Sequence, residues 1–132
     1  MKISELSKKS GISAHTLRYY EKLGLLSPSH RNQSNYRVYS QNDMDTAKFI
    51  KSSKECGFTL AQIASLLAIK HNKSQHVCEE AKQIAQTKIS ELEQEIEKLK
   101  GIKKTLEELE AYCCGGQESA EFCSILAGLE TR

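Results

Sequence analysis

The stretch Ile3-Ser4-Glu5-Leu6-Ser7-Lys8-Lys9-Ser10-Gly11-Ile12-Ser13-Ala14-His15-Thr16-Leu17-Arg18-Tyr19-Tyr20-Glu21-Lys22-Leu23-Gly24 holds two short helical patterns with a glycine between them. The first is amphipathic and stops at Gly11. Ser13 is placed to cap a second helix over Ala14 to Lys22, which stops near Gly24. Two short helices joined by a tight Gly-containing turn form the helix-turn-helix pattern, whose second helix can enter the major groove of DNA. On helical spacing Ile12, Leu17 and Tyr20 face the core, which leaves His15, Arg18 and Tyr19 outward.

Downstream, Pro28 to Ser40 contains the turn residues Asn32-Gln33-Ser34-Asn35 and then the alternating run Tyr36-Arg37-Val38-Tyr39. Period-two alternation after a polar turn predicts a small hairpin, a wing beside the helix-turn-helix. Arg31 and Arg37 sit where such a wing meets phosphates; Tyr36 is expected to contact DNA and Tyr39 to pack against the helical body. Ser40-Gln41-Asn42-Asp43 has capping-box form and opens a third helix that ends at Gly57; Thr59-Leu60-Ala61-Gln62 opens a fourth. Leu60, Ile63, Ala64, Leu66, Leu67 and Ile69 give the fourth helix a broad apolar face, enough to close a small core. Cys56, remote from the other cysteines, is expected as a buried apolar residue.

The net charge of +2 over 132 residues hides an asymmetry. Residues 1–57 carry ten Lys/Arg against five Asp/Glu, whereas residues 77–112 carry six against nine and the tail one against three. A basic front and an acidic back imply nucleic-acid binding by the front alone. Aromatics at 6% and a single proline favour helices over a sandwich or barrel. No stretch reads as a signal peptide or a membrane span, so a cytoplasmic location without a membrane partner is expected. Five cysteines in a reducing compartment, two of them adjacent, point away from disulfides and towards metal or redox use.

From Ser74 or Gln75 to Ala111 there is no proline, one glycine and a dense supply of helix formers. Ala85, Ile89, Leu92, Ile96 and Leu99 step by 4, 3, 4 and 3, a coiled-coil seam that continues as Ile102, Leu106 and Leu109 with one irregular step beside Gly101. That irregularity predicts a local change in winding or in packing partner. A helix of about 35 residues spans about 50 Å, too long to bury its stripe on so small a domain. It needs a second chain, and antiparallel pairing carries two DNA-binding heads apart in a symmetric homodimer. With pairing centred near Glu93 and Gln94, Cys78 of one protomer approaches Cys113, Cys114 and Cys123 of its partner, so a metal site would be built across the interface.

The tail Cys113-Cys114-Gly115-Gly116-Gln117-Glu118-Ser119-Ala120-Glu121-Phe122-Cys123 supplies soft, deprotonatable ligands around a glycine-rich turn, as a thiophilic ion requires. Adjacent cysteines point their sulfurs apart, so two ions are easier to serve than one. Cys113 and Cys123 then hold one and Cys114 the other, with Cys78 of the partner subunit bridging at about 2.3 Å per Zn–S bond. Glu118 is either a ligand of the second ion or a solvated residue. His76, two residues before Cys78, does not share a helical face with it and reads as a group behind the ligands or a plain first-turn residue. His30 and His71 read as surface residues.

His15-Thr16-Leu17-Arg18-Tyr19-Tyr20-Glu21-Lys22, followed by Asn35-Tyr36-Arg37-Val38-Tyr39, resembles the MerR family of bacterial transcription regulators over the whole chain. Cys78 with Cys113-Cys114-Gly115-Gly116 and the ending Phe122-Cys123-Ser124-Ile125-Leu126-Ala127-Gly128-Leu129-Glu130 is similar to the zinc-responsive branch. The resemblance implies a mainly α fold: a winged helix-turn-helix domain over 1–70 (helix-turn-helix about 3–23, wing about 30–40, connector helices about 41–70), an antiparallel dimerisation helix over 74–111, and a metal-binding loop with a terminal helix over 112–132. It implies two Zn(II) per site completed by the partner's cysteine. It also implies a homodimer that represses a promoter with an over-long spacer and, with metal, distorts the DNA so that RNA polymerase initiates transcription of efflux or detoxification genes. DNA contacts carry over to Arg18, Tyr19, Tyr36 and Arg37, and further to Ser13, His15, Thr16, Arg31, Asn35 and Tyr39. The zinc-responsive pattern has a histidine where this chain has Glu118, which leaves Cd(II) or Pb(II) as the alternative ion on the same scaffold.

A redox-sensing regulator is the further alternative, but an iron–sulfur cluster calls for four cysteines in one loop, and Cys78 lies 35 residues upstream. An enzyme is not expected: there is no Gly-rich phosphate loop and no nucleophile paired with a base.

Overall fold

The computed structural model describes residues 1–27 and 30–132. Pro28, Ser29 and the side chain of His30, including the expected surface position of that histidine, lie outside the described residues. The elements run α1 (Ile3–Ser10), α2 (Ala14–Lys22), β1 (His30–Arg31), β2 (Arg37–Val38), α3 (Gln41–Glu55), α4 (Leu60–His71), a 3-10 turn (Lys73–Gln75), α5 (Cys78–Ala111), a second 3-10 turn (Ala120–Phe122) and α6 (Ser124–Glu130). The chain divides into two compact units, Met1–Lys88 and Ile89–Arg132.

In the first unit, α1 ends where Gly11 takes φ +75° and returns its N–H to Ser7. Left-handed backbone favours glycine at this position. The turn is tied by serines: the Ser7 hydroxyl donates to the Ile12 carbonyl at 2.6 Å, and the Ile12 N–H donates to Ser10 Oγ at 3.3 Å. Ser13 Oγ then accepts from the Thr16 N–H and caps α2. Both expected capping boxes form, Ser40 with Asp43 and Thr59 with Gln62. Leu6, Leu17, Ile50 and Ile63 are fully buried at the centre of the core, joined by Ile12, Tyr20 and Tyr39. Each of the buried aliphatic side chains contributes about 1.5–3 kcal/mol on leaving water. On α4 only Ile63 and Leu67 are buried, and Ala64 faces out.

The wing is a two-pair antiparallel hairpin with His30 opposite Val38 and Arg31 opposite Arg37. Asn32 shapes its tip: its side-chain oxygen accepts from the Ser34 and Tyr36 N–H groups, each at 3.0 Å, while Asn35 adopts φ +64°. Asparagine tolerates that left-handed conformation better than other non-glycine residues.

Two expectations are corrected. Cys56 is exposed, not buried, because it is the C-cap residue of α3; the chain turns at Gly57 (φ +86°), and Phe58 packs against the core. The long helix begins at Cys78, not at Ser74 or Gln75, because the 3-10 turn and the extended backbone of His76 intervene. The Glu80 carboxylate sets that start by accepting from the Val77 N–H at 3.0 Å, one half of a capping box, and it also meets His76 Nδ1 at 2.9 Å.

In the second unit α5 continues unbroken through Gly101, and the Thr105 hydroxyl donates to the Gly101 carbonyl at 3.2 Å. Ile89, Leu92, Ile96, Leu99, Ile102 and Leu106 are exposed along one stripe. Leu109 is half-buried: α6 crosses it at Gly128, where a Cβ would lie 2.3 Å from Leu109 Cδ2. Cover from within the chain thus begins at Leu109, not at Gly101, since Ile102 and Leu106 are exposed like the residues before the glycine.

Candidate metal loop and nucleic-acid interface

Beyond the end of α5 the chain folds into a loop around a concave space of about 390 Å³, lined among others by Cys113, Cys114, Glu118 and Cys123. Cys113 and Cys123 are half-buried and their thiols are hydrogen-bonded; Cys114 is exposed. The Leu126 amide, then that of Ile125, donates towards the Cys123 sulfur, and with Cys113 these contacts hold the Cys123 thiol below the usual thiol range. That favours the thiolate, the form that binds metal.

Gly115 takes φ +67°, and the Gly116 N–H points at Cys114 Sγ at 3.5 Å. Glu118 turns back so that its Oε2 lies 3.4 Å from Cys114 Sγ and occupies the place of a Gly116 Cβ, 2.0 Å from it. A side chain at position 116 would displace that carboxylate from this place. The buried Ser124 Oγ beside Cys123 has no partner among the described residues. Three thiols and a carboxylate on one loop, with amide N–H groups directed at sulfur, fit a soft divalent ion.

The donor set is nevertheless open. Among the described residues no three of His, Cys, Asp and Glu converge on a metal position. Cys78, the remaining expected ligand, belongs to the first unit, where it is exposed as the first residue of α5. His76 does not approach as a free ligand, its Nδ1 being engaged by Glu80, and His71 is exposed.

On the first unit Lys2, Arg18, Lys22, Arg31 and Arg37 line two concavities that share Arg18 and Arg37. Arg18, Lys22, Arg31 and Arg37 surround Glu21 in one concavity, and Lys2, Arg18, Tyr36 and Arg37 line a second. Tyr36 is 66% exposed and Tyr19 48%, whereas Tyr39 is 2% exposed, in keeping with its expected packing role and against its carry-over as a DNA contact, since its ring is enclosed by the core. His15 is exposed; Thr16 is half-buried, its hydroxyl accepting from that of Ser13 at 2.9 Å. Arg31 Nη1 donates to the Asn35 carbonyl at 3.1 Å across the wing turn. Thus Ser13, Thr16 and Asn35 build the local turns that present Arg18, Tyr19, Tyr36 and Arg37.

Glu21 escaped the sequence reading. Its Oε2 meets Arg37 Nε at 2.8 Å, and its Oε1 accepts from the Tyr39 hydroxyl. No local signal announces partners sixteen and eighteen residues away, although Glu21 stands in the stretch that carries the family resemblance. Within the glycine-rich turn, Gly116 also serves as the seat of Glu118.

A winged helix-turn-helix with a basic face, a long helix and a cysteine loop defines a class of protein, the DNA-binding regulators. Residues 1–69 match the family described as MerR HTH family regulatory protein, and residues 45–109 match the family described as MerR, DNA binding. The chain belongs to the MerR family of transcriptional regulators, a non-enzymatic family. It is 36% identical to the transcriptional regulator ZntR of Escherichia coli K12 over 129 residues, 98% of this chain and 92% of that protein. It is similar to the transcription regulator PbrR691 of Ralstonia metallidurans CH34 in complex with lead(II), with TM-score 0.87, 27% identity and 98% of each chain covered. It also resembles MerR of Bacillus megaterium MB1 in complex with mercury(II), with TM-score 0.73, 31% identity, and 98% and 99% of the two chains covered.

Proposed function

We propose that this metal-responsive regulator of the MerR type is a cytoplasmic homodimer that binds promoter DNA through two winged helix-turn-helix heads and responds to Zn(II). The observation that carries the reading is the open donor set: three thiols and Glu118 on one loop, with Cys78 exposed at the far end of a long helix. Antiparallel pairing of α5 covers the exposed stripe from Ile89 to Leu106 and brings Cys78 of the partner subunit to the loop. Covering the outer half of each of those side chains contributes about 1 kcal/mol.

Cys113 and Cys123 would hold one ion and Cys114 with Glu118 the other, with Cys78 of the partner subunit shared between them. Bound metal would supply thiolate bonds that tie the two protomers together. The two heads would then be held at one spacing on a distorted promoter from which RNA polymerase initiates, and the metal-free dimer would repress. Similarity to ZntR supports zinc. The absence at Glu118 of the histidine of the zinc-responsive pattern, and the likeness to a lead-bound regulator, support the second reading, a Cd(II)- or Pb(II)-responsive protein. Among the described residues no helix is long and apolar enough to cross a membrane.

Transcription in vitro from the cognate promoter, across buffered zinc, cadmium, lead, copper and mercury, tests the assignment. Zinc is expected to activate at the lowest free concentration; activation by cadmium or lead alone establishes the second reading, and activation by copper or mercury alone overturns both.

A further inference from the structure

We propose that Glu21 is a positioning residue that clamps the wing to α2 and aims Arg37 at the DNA backbone. This deepens, and rests on, the DNA-binding reading of the first unit. The problem it answers is an acid in the wrong place. Duplex DNA carries one negative charge per about 1.7 Å of its axis, yet Glu21 lies on the second helix of the helix-turn-helix, in the same concavity as Arg18, Lys22, Arg31 and Arg37. An unpaired carboxylate there weakens binding and, with its side chain only 10% exposed, also costs desolvation.

Both costs are offset by the wing. Arg37 and Tyr39 stand two residues apart on the strand side of the hairpin and so share a face. One carboxylate therefore reaches both: Oε2 engages Arg37 Nε at 2.8 Å, and Oε1 accepts from the Tyr39 hydroxyl. The Tyr39 ring is 2% exposed within the core, and burial, with Glu21 next, pushes its ionisation well above the ordinary tyrosine range, so it stays a donor. A hairpin of two paired positions is too short to hold its own geometry. It is held here by a side chain of the neighbouring helix.

Arg37 is held at Nε while its side chain remains 38% exposed. The guanidinium is planar, so fixing one edge fixes the direction of the rest. Arg37 thus meets a phosphate with little ordering left to do, and Glu21 spends its charge on that alignment instead of on repelling the duplex.

The test uses the full-length protein and a labelled duplex that the parent protein selects from a random-sequence pool, with binding measured across a salt series. Glu21→Ala and the isosteric Glu21→Gln are compared with Arg37→Ala and with the double variant Glu21→Ala/Arg37→Ala, and thermal melts show which proteins are folded. We expect Glu21→Ala to bind about tenfold more weakly, with the slope of log K against log salt reduced by about one, as for Arg37→Ala. Glu21→Gln should fall between Glu21→Ala and the parent, and the double variant should be no worse than Arg37→Ala alone. Should Glu21→Ala fail to fold, the Glu21→Gln protein decides by the same slope. Equal or tighter binding with an unchanged slope in either folded variant, or full additivity with Arg37→Ala, overturns the proposal. A parent protein that enriches no duplex overturns instead the DNA-binding reading beneath it.

Discussion

A metal site shared between protomers predicts complementation between two damaged chains. One chain carries Cys78→Ser, which removes the bridging thiolate but leaves the loop whole. The other carries Cys113→Ser with Cys114→Ser, which disables the loop but leaves Cys78. Either homodimer has every site broken. Because even groups behind the ligands change metal affinity about 10–100-fold, loss of a ligand should weaken zinc by more than about a hundredfold.

In the heterodimer the intact loop of one chain faces the intact Cys78 of the other, while the second site carries all the damage. A C2 dimer has two equivalent sites, so the purified heterodimer should hold about half the parent's zinc, and an equal statistical mixture about a quarter. The measurement is zinc competition against a chromophoric chelator under reducing conditions, on heterodimer isolated with two different affinity tags, with metal content checked by elemental analysis. Sites contained within single chains would leave the heterodimer no better than either homodimer. That result refutes the shared site.

Further outcomes test the rest of the structure. Gly116→Ala places a Cβ where Glu118 Oε2 now lies, so the carboxylate must shift from beside Cys114, and zinc should bind about tenfold more weakly in the same competition assay. Ile96→Asp, at a half-exposed stripe position, should shift the protein from dimer to monomer in sedimentation, whereas Lys98→Asp beside it should not. Leu17→Ala empties a fully buried position at the start of α2 and should lower unfolding stability by about 2–5 kcal/mol in denaturant titration. Asn35→Val forces a β-branched residue to φ +64° and should weaken DNA binding through the wing more than Asn35→Gly, which accepts that backbone freely.

Much of this molecule was legible residue by residue. Gly11 and Ser13 bound the first two helices, Ser40 with Asp43 and Thr59 with Gln62 open the next two, and the 3.5-residue spacing of Ile89, Leu92, Ile96 and Leu99 defines the exposed stripe. These signals are local: a cap or a turn is completed by hydrogen bonds within four or so residues, and a helical face by the helical repeat, so the amino-acid order contains them whole. The cysteine loop was legible for a similar reason, since thiol chemistry belongs to the residue type.

Tertiary structure decided the rest. Cys56 is exposed because a helix end, not a helix face, holds it, and α5 starts at Cys78 because Glu80 caps Val77 in competition with further winding. The pairing of Glu21 with Arg37 and Tyr39, the seat that Gly116 makes for Glu118, and the cover that α6 gives Leu109 all depend on where the backbone returns in space. Composition and periodicity specify which residues can pair or coordinate. Which of them meet depends on angles accumulated over many residues, and packing alone sets those.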